Sequence, residues 1–137
     1  MTRTPARLAL FAAFLAVADM APAQSVQEVE FAKGDFGAMI VGSVTGDGYS
    51  DYKLGAAAGQ EMFVELVVTG SSGNGTVYFN VLPPGSADVA IYNSSIDGNS
   101  TTIDLPLSGD YVIRVYHMGN DEDSGATSAF NMDLSIQ

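Results

Sequence analysis

The chain has 137 residues, no cysteine, no tryptophan and a net charge of −11. That length suits one domain around one core, and a chain without cysteine is neither a disulfide scaffold nor a thiolate enzyme nor a Cys-based zinc protein. Its acidity repels a phosphate backbone, which argues against nucleic acid as a partner and leaves a cation or a basic protein as the compatible ones.

The N-terminal segment reads as a secretory signal peptide. Arg3 and Arg7 form a positive start, Leu8 to Val17 (LALFAAFLAV) an apolar run, and Ala21-Pro22-Ala23 a small-residue cleavage site. The apolar run is far short of the roughly 20 residues of a spanning helix, so no membrane insertion is expected after cleavage. The expected organisation is a signal peptide at 1–23 and a single domain at 24–137, exported to the periplasm or beyond. Without Arg3, Arg7 and Asp19 the net charge moves from −11 to −12, and Lys33, Lys53 and Arg114 remain as the strong bases.

From residue 24 onward the chain reads as strands. VQEVEF and AMIVGSV are the first candidates. EMFVELVVT places Met62, Val64, Leu66 and Val68 on one face. TVYFNVL and DVAIYN are short runs rich in β-branched and aromatic residues. YVIRVYHM puts Tyr111, Ile113 and Val115 on one face, with His117 in phase. SAFNMDLSI alternates Phe130, Met132, Leu134 and Ile136 with small or polar residues, the period-two pattern of a half-buried strand. Turn chemistry separates these runs at Gly46-Asp47-Gly48, Gly70 to Gly75, Pro83-Pro84-Gly85-Ser86, Asp97-Gly98-Asn99 and Ser108-Gly109-Asp110. No helical period appears after the signal segment. The pattern predicts an all-β fold, an antiparallel β-sandwich or jelly roll of about seven to nine short strands.

Residues that could carry chemistry are sparse. His117 is the single histidine; its phase predicts a partly buried side chain closing the edge of the sandwich, and alone it makes neither a zinc site nor a triad. Acids are plentiful but lie in turns or on outward strand faces. A small sandwich without tryptophan offers no sugar-stacking cleft for a glycosidase. Asp121-Glu122-Asp123-Ser124-Gly125 places oxygen ligands at alternate positions, with Asp121 and Asp123 the candidate calcium ligands. The third ligand, the turn glycine and the distal Glu of a full calcium loop are missing. These residues predict a non-enzymatic protein with no cofactor.

Several runs carry a family resemblance: VEFAKGDFGAMIVGSVTGDGYSDYKLGAAAGQEMFVEL, YFNVLPPGS, AIYNSS and LPLSGDYVIRVYHM. Together they resemble the periplasmic inhibitors of goose-type (g-type) lysozyme, from about Val29 to Ile136. A wider likeness, through Ala58-Gly59-Gln60 and Ser108-Gly109-Asp110-Tyr111, links the chain to bacterial pre-peptidase C-terminal domains. These are binding modules for envelope glycan or protein, and the second reading is such a module, stabilised by calcium at the DEDSG tip. The first resemblance implies an exported β-sandwich that blocks a muramidase cleft with a surface loop. It assigns partner contact to Asp47, Tyr49 and Tyr52 in one loop region and to Gly119, Asn120 and Asp123 in another. Gly119 and Asp123 occupy positions where the family pattern carries arginines, and Asp47 one where it carries an aromatic hydroxyl, so this chain's tip is acidic where the pattern is basic.

Overall fold

Where apolar side chains recur at every second position, the chain forms its longest strands. A computed structural model describes residues 24–137; the expected signal peptide lies outside them. The elements are β1 (Gln24–Glu28), β2 (Gly37–Thr45), β3 (Tyr49–Ala56), β4 (Glu61–Ser71), β5 (Val77–Leu82), β6 (Tyr92–Asn93), α1 (Ser94–Asp97), β7 (Ser100–Asp104), β8 (Gly109–His117), α2 (Asn120–Ser124) and β9 (Thr127–Ile136). They build a five-stranded sheet in the order β1-β3-β8-β5-β6 and a four-stranded sheet in the order β2-β9-β4-β7. All pairings are antiparallel except β1 with β3. That parallel pair is possible because the chain between them crosses to the other sheet as β2.

The core lies between the sheets. β3, β5 and β8 contribute Tyr52, Leu54, Val77, Phe79, Val81, Tyr111, Ile113 and Val115; β2, β4 and β9 contribute Ile40, Val44, Met62, Val64, Leu66, Phe130, Met132, Leu134 and Ile136. The predicted inner faces of β4, β8 and β9 are thus the observed ones, the outermost Val68 being half-buried.

Several segments differ from the sequence expectation. Tyr49–Ala56, which shows no clean alternation, forms the interior strand β3 between β1 and β8. DVAIYN forms only the two-residue β6. The Ser86 hydroxyl accepts from Val89 N–H at 3.0 Å and donates to Val89 C=O at 2.8 Å, a local turn that competes with the sheet ladder. Two short helices appear where none was expected, and α2 is the acidic tip itself.

Tyr111 ties the β7–β8 connection to the core. Its hydroxyl donates to Leu107 C=O at 2.6 Å and accepts from Leu107 N–H at 3.0 Å. Tyr111→Phe leaves both groups without that partner and should cost about 1–3 kcal/mol. Urea unfolding checks this; an unchanged midpoint would show the tie to be dispensable.

Candidate functional site

Six strand ends converge at one end of the sandwich. β2 and β9 meet at Thr45 opposite Thr127, β4 and β9 at Ser71 opposite Ser128, β3 and β8 at Tyr49 opposite Tyr116, and β5 and β8 at Val77 opposite His117. The connections leaving these ends are the Gly46–Gly48 turn, the 72–76 loop, and the 118–126 segment that carries α2. They form one tip.

The segment Asn120–Ser124 turns as a helix because glycines bound it. Gly119 has φ 68° and ψ −142°, and Gly125 is left-handed at φ 75°. Both conformations strain an L side chain. Glu122 and Asp123 N–H donate to Gly119 C=O at 3.1 and 3.3 Å. Asp121, Glu122 and Asp123 fill this first turn, where a helix favours negative charge.

Asp121 is buried, unlike its neighbours. Its Oδ1 accepts from Asn74 N–H and its Oδ2 from Thr76 N–H, both at 2.8 Å. These two backbone donors hold its carboxyl below the ordinary carboxylate range, against the opposing effect of burial. Both oxygens are therefore engaged with the 72–76 loop. The calcium reading of Asp121 with Asp123 gains no support from this arrangement: among the described residues no group of three acids or histidines is placed to hold a metal.

The sign of the pH effect follows from that depressed pKa. The stability that Asp121 contributes is complete above its unfolded pKa of about 3.9, and is lost as pH falls through the lower folded value. Urea unfolding of the wild type and of Asp121→Asn should therefore converge as the solution is acidified below about pH 4. Curves that stay parallel down to acid unfolding would contradict this role.

His117 is 1% exposed and fully interior, a deeper position than the edge expected. Its Nε2 lies 2.7 Å from Ser128 Oγ and its Nδ1 3.2 Å from Gly46 O. Ser128 is 0% exposed, so this histidine–serine pair meets no substrate and acts as a structural tie.

The structure brings some of the expected contact residues together. Asp47 and Asp123, exposed, line one open depression of about 490 Å³ with Gly46, Glu122 and Gly125. Gly119 and Asn120 are exposed at the start of α2 beside it. Tyr49 is half-buried at the base of β3, with the Arg114 guanidinium 4.1 Å above its ring. Arg114 is itself clamped by Asp51, Nε to Oδ1 at 2.8 Å and Nη2 to Oδ2 at 2.9 Å, and donates to Ala87 C=O at 3.2 Å. The Asp51 carboxylate raises the Arg114 pKa above its ordinary value, so the cation persists.

Tyr52 does not join this group. It is 4% exposed in the core, its ring edge-on to Phe130 at 6.2 Å, and burial pushes its hydroxyl pKa up. It is a packing residue, which corrects its assignment as a contact. Sequence reasoning missed Asp121 as an anchor and Glu122 as a lining residue; the run of three acids was visible, but not which of them turns inward.

Comparison with known proteins places this architecture. No protein-family model matches the chain. A curated relative from Escherichia coli (strain K12), an inhibitor of g-type lysozyme, is 31% identical over 109 residues, covering 80% of this chain and 79% of its own. The crystal structure of Aeromonas hydrophila PliG, a periplasmic inhibitor of g-type lysozyme, superposes with a TM-score of 0.74 at 34% identity, covering 83% of this chain and 97% of that one. Salmonella Typhimurium PliG gives a TM-score of 0.64 at 28% identity, covering 82% and 98%. The pre-peptidase C-terminal domain of a Bacillus anthracis collagenase shares the fold alone, at 14% identity and a TM-score of 0.52 over 88% and 100%. With identity above 30% across most of both chains, this protein belongs to the family of inhibitors of g-type lysozyme.

Proposed function

We propose that this protein is a periplasmic inhibitor of a g-type lysozyme and that it acts through the tip. The reading rests above all on likeness across 80–83% of the chain to inhibitors of that enzyme class. In it, Asp47, Gly119, Asn120 and Asp123 face the enzyme, Tyr49 lies at the margin, and catalysis belongs to the partner.

The tip's chemistry sets the kind of contact. Asp47, Glu122 and Asp123 present carboxylates around a shallow depression, so they accept hydrogen bonds and pair with cations. They do not supply cations to the carboxylates of a glycosidase cleft. Like charges facing each other across an interface cost several kcal/mol, so the complementary surface on the lysozyme is a basic rim or a set of backbone and amide donors. The chain's overall charge of −11 steers a basic partner toward it.

Calorimetric titration of a g-type lysozyme with the purified protein tests this contact. Binding should weaken as salt is raised from about 0.02 to 0.3 M, a range in which the screening length falls below about 10 Å. Binding that strengthens with salt would contradict an acidic contact surface.

A further inference from the structure

We propose that Asp121 and His117 are positioning residues that preset the tip for its partner, an inference that rests on the functional reading above. Asp47, Asn120, Glu122 and Asp123 make no side-chain hydrogen bond or ion pair among the described residues. Their relative placement is set by the backbone beneath them, and two buried polar side chains tie that backbone together.

Asp121 holds α2 against the 72–76 loop through Asn74 and Thr76 N–H. His117 sits in a hydrogen-bond chain that crosses the interior. A carbonyl only accepts, so Nδ1–H donates to Gly46 C=O, and in the neutral form of the ring Nε2 accepts from Ser128 Oγ–H. The Ser128 oxygen then accepts from Ser71 Oγ–H at 2.8 Å, and the Ser71 oxygen accepts from Gly73 N–H at 3.0 Å. With the ring in that form, the chain has one consistent tautomer and one orientation for the Ser128 and Ser71 hydroxyls. It joins the turn that carries Asp47 to the loop that Asp121 grips.

Close backbone approaches complete the lock. A Cβ on Gly73 would collide with Asp121 Oδ1, and one on Gly46 would lie 3.3 Å from Gly125 Cα. Gly46 N–H donates to Ala126 C=O at 2.8 Å, and Met118 N–H to Thr76 C=O at 3.1 Å. The three loops therefore order together on folding. A surface ordered in advance does not lose that conformational freedom on binding, which is how rigidity becomes affinity.

Amide hydrogen exchange and inhibition of a g-type lysozyme, measured on wild type, Asp121→Asn and His117→Gln well below their melting temperatures, test the proposal. Exchange should rise at least about tenfold at 46–48, 72–76 and 119–126 in the variants while the centre of β9 is unchanged. Inhibition should weaken at least about tenfold, with binding entropy becoming less favourable. Unchanged exchange at the tip would show that these residues do not hold it. Faster exchange with undiminished inhibition would show that the partner does not need the tip preset. Either result overturns the proposal. A wild-type protein that leaves the lysozyme fully active would instead defeat the functional reading, and the exchange comparison would still decide whether Asp121 and His117 hold the tip.

Discussion

Replacing Phe130 by alanine is expected to destabilise the fold by about 3–5 kcal/mol. The ring is fully buried in β9 and meets Tyr52 edge to face at 6.2 Å and 88°. It bridges the two sheets, so both walls of the resulting cavity are held by strand pairing and collapse poorly. Gly42 in β2 lies opposite Phe130 in the ladder. A Cβ there would collide with the Tyr52 hydroxyl and lie 2.8 Å from Phe130 Cζ. Gly42→Ala alone should therefore cost about 1–3 kcal/mol by overpacking. In the Phe130→Ala background the overlap with Phe130 is gone and the Tyr52 ring gains room to yield, so the two changes should be less than additive. Urea unfolding of the four proteins reads the coupling. Additivity within about 0.5 kcal/mol would mean that the two residues do not share a packing site.

Gly109→Val should be comparably damaging, for a different reason. Gly109 opens β8 at φ 140°, a conformation that costs an L residue about 1–3 kcal/mol. A Cβ there would also stand 2.9 Å from Pro84 Cβ and 3.0 Å from its Cγ, and a branched side chain enlarges that overlap. Gly85→Ala is the control: its φ is 84° with nothing within 4 Å of the added carbon, so it isolates the backbone part. Gly109→Val should lower the melting temperature well beyond Gly85→Ala. Equal shifts would assign the whole effect to backbone strain and none to Pro84.

These residues show what a sequence exposes and what it hides. β4, β8 and β9 were legible because their buried residues strictly alternate and are apolar apart from His117 and Ser128 at the tip end, as in Phe130, Met132, Leu134 and Ile136. β3 was not, because Ser50 and Asp51 are buried beside Tyr52 and Leu54. Asp51 is buried only because Arg114, far along the chain on the neighbouring strand, clamps both its oxygens. β7 (STTID) is short and half polar, and no periodicity marks it. At the tip, Asp47, Asn120 and Asp123 were visible as loop residues, and family likeness supplied their grouping. Asp121 reads as one more acid in a solvated run; its inward turn depends on Asn74 and Thr76 in another loop. Tyr52 shows the converse, an aromatic in a contact-like motif that packing takes into the core.

We propose that this acidic tip belongs to a working inhibitor of g-type lysozyme. The most direct measurement is lysis of peptidoglycan-bearing cells by a g-type lysozyme, followed by turbidity as the purified protein is titrated at low and moderate salt, with chicken-type lysozyme as control. Dose-dependent protection confined to the g-type enzyme, strongest at low salt, is the predicted result. Full lysis at stoichiometric excess and low salt would contradict it and leave the family likeness as a statement about the fold.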